Sequence, residues 1–160
     1  MMPRSPSAAA LSAVLVLLGS ACKDQGPEIE GFLDDVAAHR AFWESNRPSS
    51  YVYEVERWCN CPKEEQGPVR VKVEGTVVLE RRYPETGAVV ASSLDSAFPS
   101  VDGLFDMLED AARREPWSIN VNWDPELGYP RDFYVDFESN VLYDELSYRV
   151  VTAPAPDTGG

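Results

Sequence analysis

Between Ile29 and Ser45 apolar side chains recur at helical spacing. Phe32, Leu33, Val36, Ala37 and Trp43 share one side of the wheel, and Glu30, Asp34, Asp35 and Glu44 lie elsewhere on it. Asn46-Arg47-Pro48 stops this helix, because proline disfavours helical geometry in the residue before it. The period then changes to two. In "SYVYEVERW" (50–58) Tyr51, Tyr53 and Val55 fall on one face and Val52, Glu54 and Glu56 on the other, the pattern of a half-buried strand. "VRVKVEGTVVLERRY" (69–83) reads as a hairpin. Val69, Val71 and Val73 alternate with Arg70 and Lys72, Glu74-Gly75 makes the turn, and Thr76 to Tyr83 returns. "AVVAS" (88–92) adds a short strand after the turn "PETG".

Ser100 is placed to cap a second helix with a single apolar stripe: Val101, Leu104, Phe105, Leu108, Ala111 and Ala112. Asp102 at its start and Arg113-Arg114 at its end complement the helix dipole. Strict alternation resumes in "WSINVNWD", where Trp117, Ile119, Val121 and Trp123 are expected to face the helix stripe. "PELGYP" (125–130) turns the chain. "RDFYVDF" sends Phe133, Val135 and Phe137 inward and Asp132, Tyr134 and Asp136 outward, and a last strand near Glu145 to Thr152 carries Leu146, Tyr148 and Val150 on one side. This order predicts an α+β fold: a mainly antiparallel sheet of five to seven strands with two helices packed on one face.

Both chain ends depart from these patterns. Arg4 precedes the run Ala8 to Leu18, whose only non-apolar member is Ser12, and Gly19-Ser20-Ala21 gives a small-residue exit. That run is shorter than the roughly 18–20 residues of a spanning helix, so residues 1–21 read as a cleaved secretory signal. "LLGSAC" also has the form of a bacterial lipoprotein signal, in which the Cys22 thiol receives diacylglycerol and anchors the chain to a lipid bilayer. Gly19 stands where leucine is usual. Residues 22–28 then form a polar tether, 29–152 one domain of ordinary size, and 153–160 ("APAPDTGG") a disordered tail. Lys23 follows the cysteine in place of an inner-membrane-retaining aspartate, which implies the periplasmic face of the outer membrane.

The formal net charge is −13, and loss of Arg4 with the leader makes the mature chain one unit more acidic. Such a chain repels nucleic acid and anionic lipid, so no nucleic-acid partner is expected.

Candidate chemistry centres on Cys59-Asn60-Cys61. A structural zinc needs about four ligands, and only His39 and the anchor cysteine remain to supply them. A catalytic thiol pair is usually C-x-x-C at a helix N-terminus, whereas this pair follows a strand. A Cys59–Cys61 disulfide is favoured in an oxidising compartment once Cys22 is acylated, and its small ring makes it a weak staple. His39, the one histidine, lies among Phe32, Val36 and Trp43 in a half-buried structural setting, and no hydrolase, zinc-protease, phosphate-loop or dinucleotide motif occurs. Asp124, Glu126, Asp132, Asp136, Asp144 and Glu145 lack a calcium-loop pattern and read as solvated carboxylates at strand ends. Pro125 and Gly128 provide turn geometry, Tyr129 before Pro130 is biased to extended backbone, and Gly128, Tyr129 and Pro130 form a candidate contact surface.

"W…YVYEV…CNC", "VRVKVEGTVV", "SVDGLFDMLEDA" and "VNWDPELGYPRDFYVDF…YDELSYRV" together resemble a bacterial family of small secreted lipoproteins, domain of unknown function 6174. The likeness spans roughly residues 43–151. Its most specific element is the W/Y-D-P-x-x-G-Y-P turn, and the C-x-C pair also fits. Trp123 stands where tyrosine is common, and residues 141–145 are less acidic than usual. The family has no assigned activity, so the resemblance implies fold and location and transfers no catalytic residue. The expected function is that of a non-enzymatic envelope lipoprotein without cofactor or metal, binding an envelope protein. The alternative is a thiol-redox or metal-binding protein using Cys59 and Cys61.

Overall fold

The computed structural model describes residues 29–158. The expected signal, Cys22 and the tether lie outside the described residues, as do Gly159 and Gly160. Two helices, α1 (Ile29–Asn46) and α2 (Val101–Arg113), accompany six strands: β1 (Ser50–Trp58), β2 (Val69–Glu74), β3 (Val77–Arg82), β4 (Ser118–Trp123), β5 (Pro130–Asp136) and β6 (Leu146–Pro156). All six join one open antiparallel sheet in the order β3-β2-β1-β6-β5-β4, the α+β architecture expected. The sheet is two three-strand meanders fused along β1 and β6, the first and last strands of the chain.

The inner face follows the period-two pattern. Tyr51, Tyr53, Val55, Val69, Val71 and Val73 are all fully buried from β1 and β2, and Phe133, Val135 and Tyr148 extend the core across β5 and β6. Over it lies α2, whose buried residues are the six of the expected stripe. Ser100 caps the helix as its spacing implied, its hydroxyl accepting from the Gly103 amide at 3.1 Å. Two tyrosine hydroxyls tie sheet to helix entrance: Tyr53 donates to the Pro99 carbonyl, and Tyr51 accepts from the Val101 amide at 3.3 Å.

The first helix touches the rest along a narrower line. Only Val36 and Trp43, two turns apart, are buried on it, and Ala37 faces solvent. Trp43 donates to Asp102 Oδ1 at 3.0 Å and meets Tyr51 edge-on at 5.3 Å. Arg40 crosses to α2, reaching Asp106 at 2.8 Å and Glu109 at 2.9 Å.

Three expectations are corrected. "AVVAS" forms no strand: Val89 makes a single bridge to Arg82, and the chain then winds into a 3-10 turn at Ser92–Ala97. Residues 153–156 are not a disordered tail, because β6 continues through them, pairing Ala155 with Val52 and Pro156 with Tyr51. The prolines are tolerated because β5 pairs only with Leu146 to Arg149, so the far side of this stretch has no ladder to break. Trp117 is 56% exposed rather than in the core. It lies just outside β4, at the rim of the sheet, where the Arg114 guanidinium lies 3.6 Å from the Phe137 ring opposite.

Candidate functional site

The cysteine pair sits at the corner where β1 leaves the sheet. Cys59 and Cys61 are joined as a disulfide, with Cα atoms 5.2 Å apart. The same corner is also held by hydrogen bonds. Gln66 Nε2 donates to the Cys61 carbonyl at 2.8 Å, the Arg57 amide donates to the Gln66 carbonyl at 2.8 Å, and Tyr83 donates from the next hairpin to the Glu64 carbonyl at 2.9 Å. Among the described residues no three His, Cys, Asp or Glu side chains converge as a metal centre would require. Because these bonds hold the loop independently and the ring is small, replacing both cysteines with serine is expected to cost about 1 kcal/mol, below the ~2–4 kcal/mol of a longer loop. Urea denaturation checks this, and a much larger loss would make the pair a principal staple.

The Gly-Tyr-Pro segment is not a contact surface. Gly128, Tyr129 and Pro130 are all buried, Tyr129 being only 3% exposed. The turn folds them inward: Asp124 Oδ1 accepts from the amides of Glu126 (3.0 Å) and Leu127 (2.8 Å), and the Gly128 amide donates to the Asp124 carbonyl at 2.9 Å. Glycine is required at 128, where φ is +78° and an added Cβ would lie 2.8 Å from the Phe42 ring and 3.2 Å from the His39 carbonyl. Tyr129 then meets Trp43 edge-on at 5.9 Å, and burial, with Asp124 beside it, pushes its hydroxyl pKa up to about 12.

Against this turn packs the middle of α1. His39 stacks on Trp123 at 4.2 Å and 11°, and Asp35 accepts from Trp123 Nε1 at 3.0 Å. The cleft between Ala38, His39, Phe42, Asp124, Pro125 and Gly128 has a volume of about 210 Å³, smaller than the ~300–1,000 Å³ of ordinary ligand pockets. His39 is therefore placed as a packing residue at a seam, the half-buried structural setting its spacing implied.

A different group emerges on the outer, helix-free face. In register, Trp58 pairs with Ser147 and Ser147 with Tyr134, so the two aromatic residues share one cross-strand row two strands apart, about 10 Å. Trp58 is 61% exposed yet held in place: its Nε1 donates to Glu56 at 3.2 Å, and the Arg149 guanidinium, itself paired with Glu56, lies 5.3 Å from the ring centre. The loop joining β5 to β6 carries exposed Val141, Leu142 (76%) and Tyr143 (72%). Tyr143 sits at φ +73°, the left-handed region that bulky residues rarely occupy. Asp136, Asp144 and Glu145 stand close enough to Tyr134 to help burial raise its hydroxyl pKa.

The alternation had already turned Tyr134 outward, and Trp58 continues the outward series of Val52, Glu54 and Glu56. Their meeting depends on the β1–β6 register, which no local pattern displays. Of the six carboxylates expected as solvated strand-end groups, Asp124 is taken up by its turn and Asp132 accepts from Asn122 at 2.7 Å. Asp136 Oδ1 and both Asp144 oxygens are shielded from solvent without a hydrogen-bond partner among the described residues.

Fold and surface together define a small α+β domain whose sheet, among the described residues, is roofed by helices on one side and open on the other. The Family of unknown function (DUF6174) matches residues 35–153, and the chain belongs to it. No curated protein and no solved structure matches the chain.

Proposed function

We propose that this chain is a non-enzymatic lipoprotein of the bacterial cell envelope, anchored through Cys22 in the outer membrane, and that it works by binding another envelope protein. The observation carrying the binding role is the exposed aromatic and aliphatic group at one end of the open sheet: Trp58, Tyr134, Val141, Leu142 and Tyr143. Exposed apolar side chains gathered at one end of a sheet mark interaction sites, and tryptophan, tyrosine and arginine are the residues that dominate binding energy at protein interfaces. The anchor is supported by "LLGSAC" alone.

The test combines two variants in intact cells. Cys22→Ser is expected to abolish partitioning into the detergent phase, and unchanged partitioning would refute the anchor. A photo-crosslinking residue at position 142 is expected to give a discrete protein adduct that the same residue at position 110, on the far side of α2, does not give. Equal or absent adducts at both positions would refute the binding surface. The second reading, thiol chemistry, is favoured by the disulfide at the corner beside Trp58. It requires the adduct at 142 to disappear when Cys59 and Cys61 become serine, and the protein-binding reading requires it to remain.

A further inference from the structure

On the outer face of the sheet the positive side chains are already engaged. Arg70 pairs with Glu54 at 2.8 Å, Lys72 with Asp157 at 2.6 Å, and Arg82 and Arg149 with Glu80 and Glu56. The negative side chains are not equally matched. Asp136 is two residues from the exposed Tyr134 on the same outward face of β5, and Asp144 lies in the loop that follows; three of their carboxylate oxygens are shielded from water with no hydrogen-bond partner among the described residues. Negative charge held without a partner is concentrated at this one end of the sheet. The same end of the sheet exposes Tyr134, Trp58 in the same cross-strand row, and Leu142 and Tyr143 in the β5–β6 loop.

An aromatic face next to unneutralised carboxylates is the environment that binds a guanidinium or ammonium. The ring quadrupole attracts the cation, the negative charge of the carboxylates beside it adds attraction, and the surrounding apolar side chains accommodate its methylene stem. We propose that this end of the sheet is the docking site for a basic segment of a protein partner, with one arginine or lysine seated over Tyr134 against Asp136 and Asp144, and Trp58, Leu142 and Tyr143 closing the apolar rim. The net charge of −13 adds long-range attraction for such a segment. This rests on the protein-binding reading above and names the chemistry of the partner.

The experiment uses the mature chain and a fluorescein-labelled oligo-arginine peptide, followed by anisotropy at physiological salt. Saturable binding is expected. Asp136→Asn with Asp144→Asn should weaken it by at least about tenfold, equivalent to 1.4 kcal/mol. Asp110→Asn with Glu85→Gln removes the same charge elsewhere and should change it by less than about twofold, well inside that margin. The site variant should melt no lower than the wild type, because it removes carboxylates that had no partner. Tyr143→Gly keeps every charge and is compatible with a positive φ, and it should also weaken binding. Equal losses in the site and control variants would show diffuse acidity only and overturn the proposal, as would no loss in either. Saturable binding of calcium alone, abolished by the site variant, would overturn it in favour of a metal site. If these arms fail while the adduct at position 142 persists, the cationic chemistry is wrong and the binding surface stands. Loss of that adduct removes both.

Discussion

Trp43→Ala is expected to cost about 5 kcal/mol, enough to unfold many domains of this size. Trp43 is fully buried, joins α1 to the core, and donates to Asp102 at the entrance of α2. Truncation leaves a cavity among Tyr51, Tyr129 and α2, a loss of roughly 3–5 kcal/mol for a large aromatic residue. It also strands Asp102, whose other oxygen already has no hydrogen-bond partner, with Arg47 3.9 Å away. A second uncompensated carboxylate oxygen adds about 1–3 kcal/mol. Trp43→Phe keeps most of the volume and loses the N–H, so it should retain the fold with about 1–2 kcal/mol of destabilisation. Urea unfolding of both variants checks the split. A loss under about 2 kcal/mol for the alanine variant would mean that the pocket collapses around it.

Trp123→Ala should cost about 3 kcal/mol, the low end of the range for a large aromatic residue because its ring is half-buried. Three contacts are lost together: the stack on His39, the stack on Phe105 at 5.8 Å, and the hydrogen bond to Asp35. Their alignment makes Trp123 the wedge between α1, α2 and the end of β4. A loss below about 1 kcal/mol in thermal or chemical denaturation would mean that this seam contributes little and that α1 is held by Val36, Arg40 and Trp43.

How much of this was legible in the sequence depends on how local each cause is. The α2 stripe and its serine cap are set by residues a turn or so apart, and both appear as read. The alternating faces of β1, β2 and β5 likewise follow from neighbours along one strand. Trp117 was misplaced because alternation gives a side but not the point at which covering helix ends. The tail was misread because Ala-Pro-Ala-Pro looks unstructured by composition, and only its partner β1, a whole domain away in sequence, makes it a strand. Tyr129 was read as exposed because turns usually are, yet the Asp124 side chain draws this one inward. The Trp58–Tyr134 row had no signal of its own at all. It exists because β6 lies between β1 and β5, a fact of topology rather than of spacing.

The junction of β1 with β6 has a consequence for the order of events during folding. Glu56 and Arg149, which face each other across it, are 93 residues apart in the chain. The middle of the sheet is therefore closed by the most distant pairing available, and such pairings form slowly because a long loop must be ordered first. Until Leu146 to Pro156 has arrived, β1 and β5 each lack a partner along one edge. A chain with this wiring completes its sheet only when β6 has joined β1, so folding of the whole domain waits on its C-terminal strand.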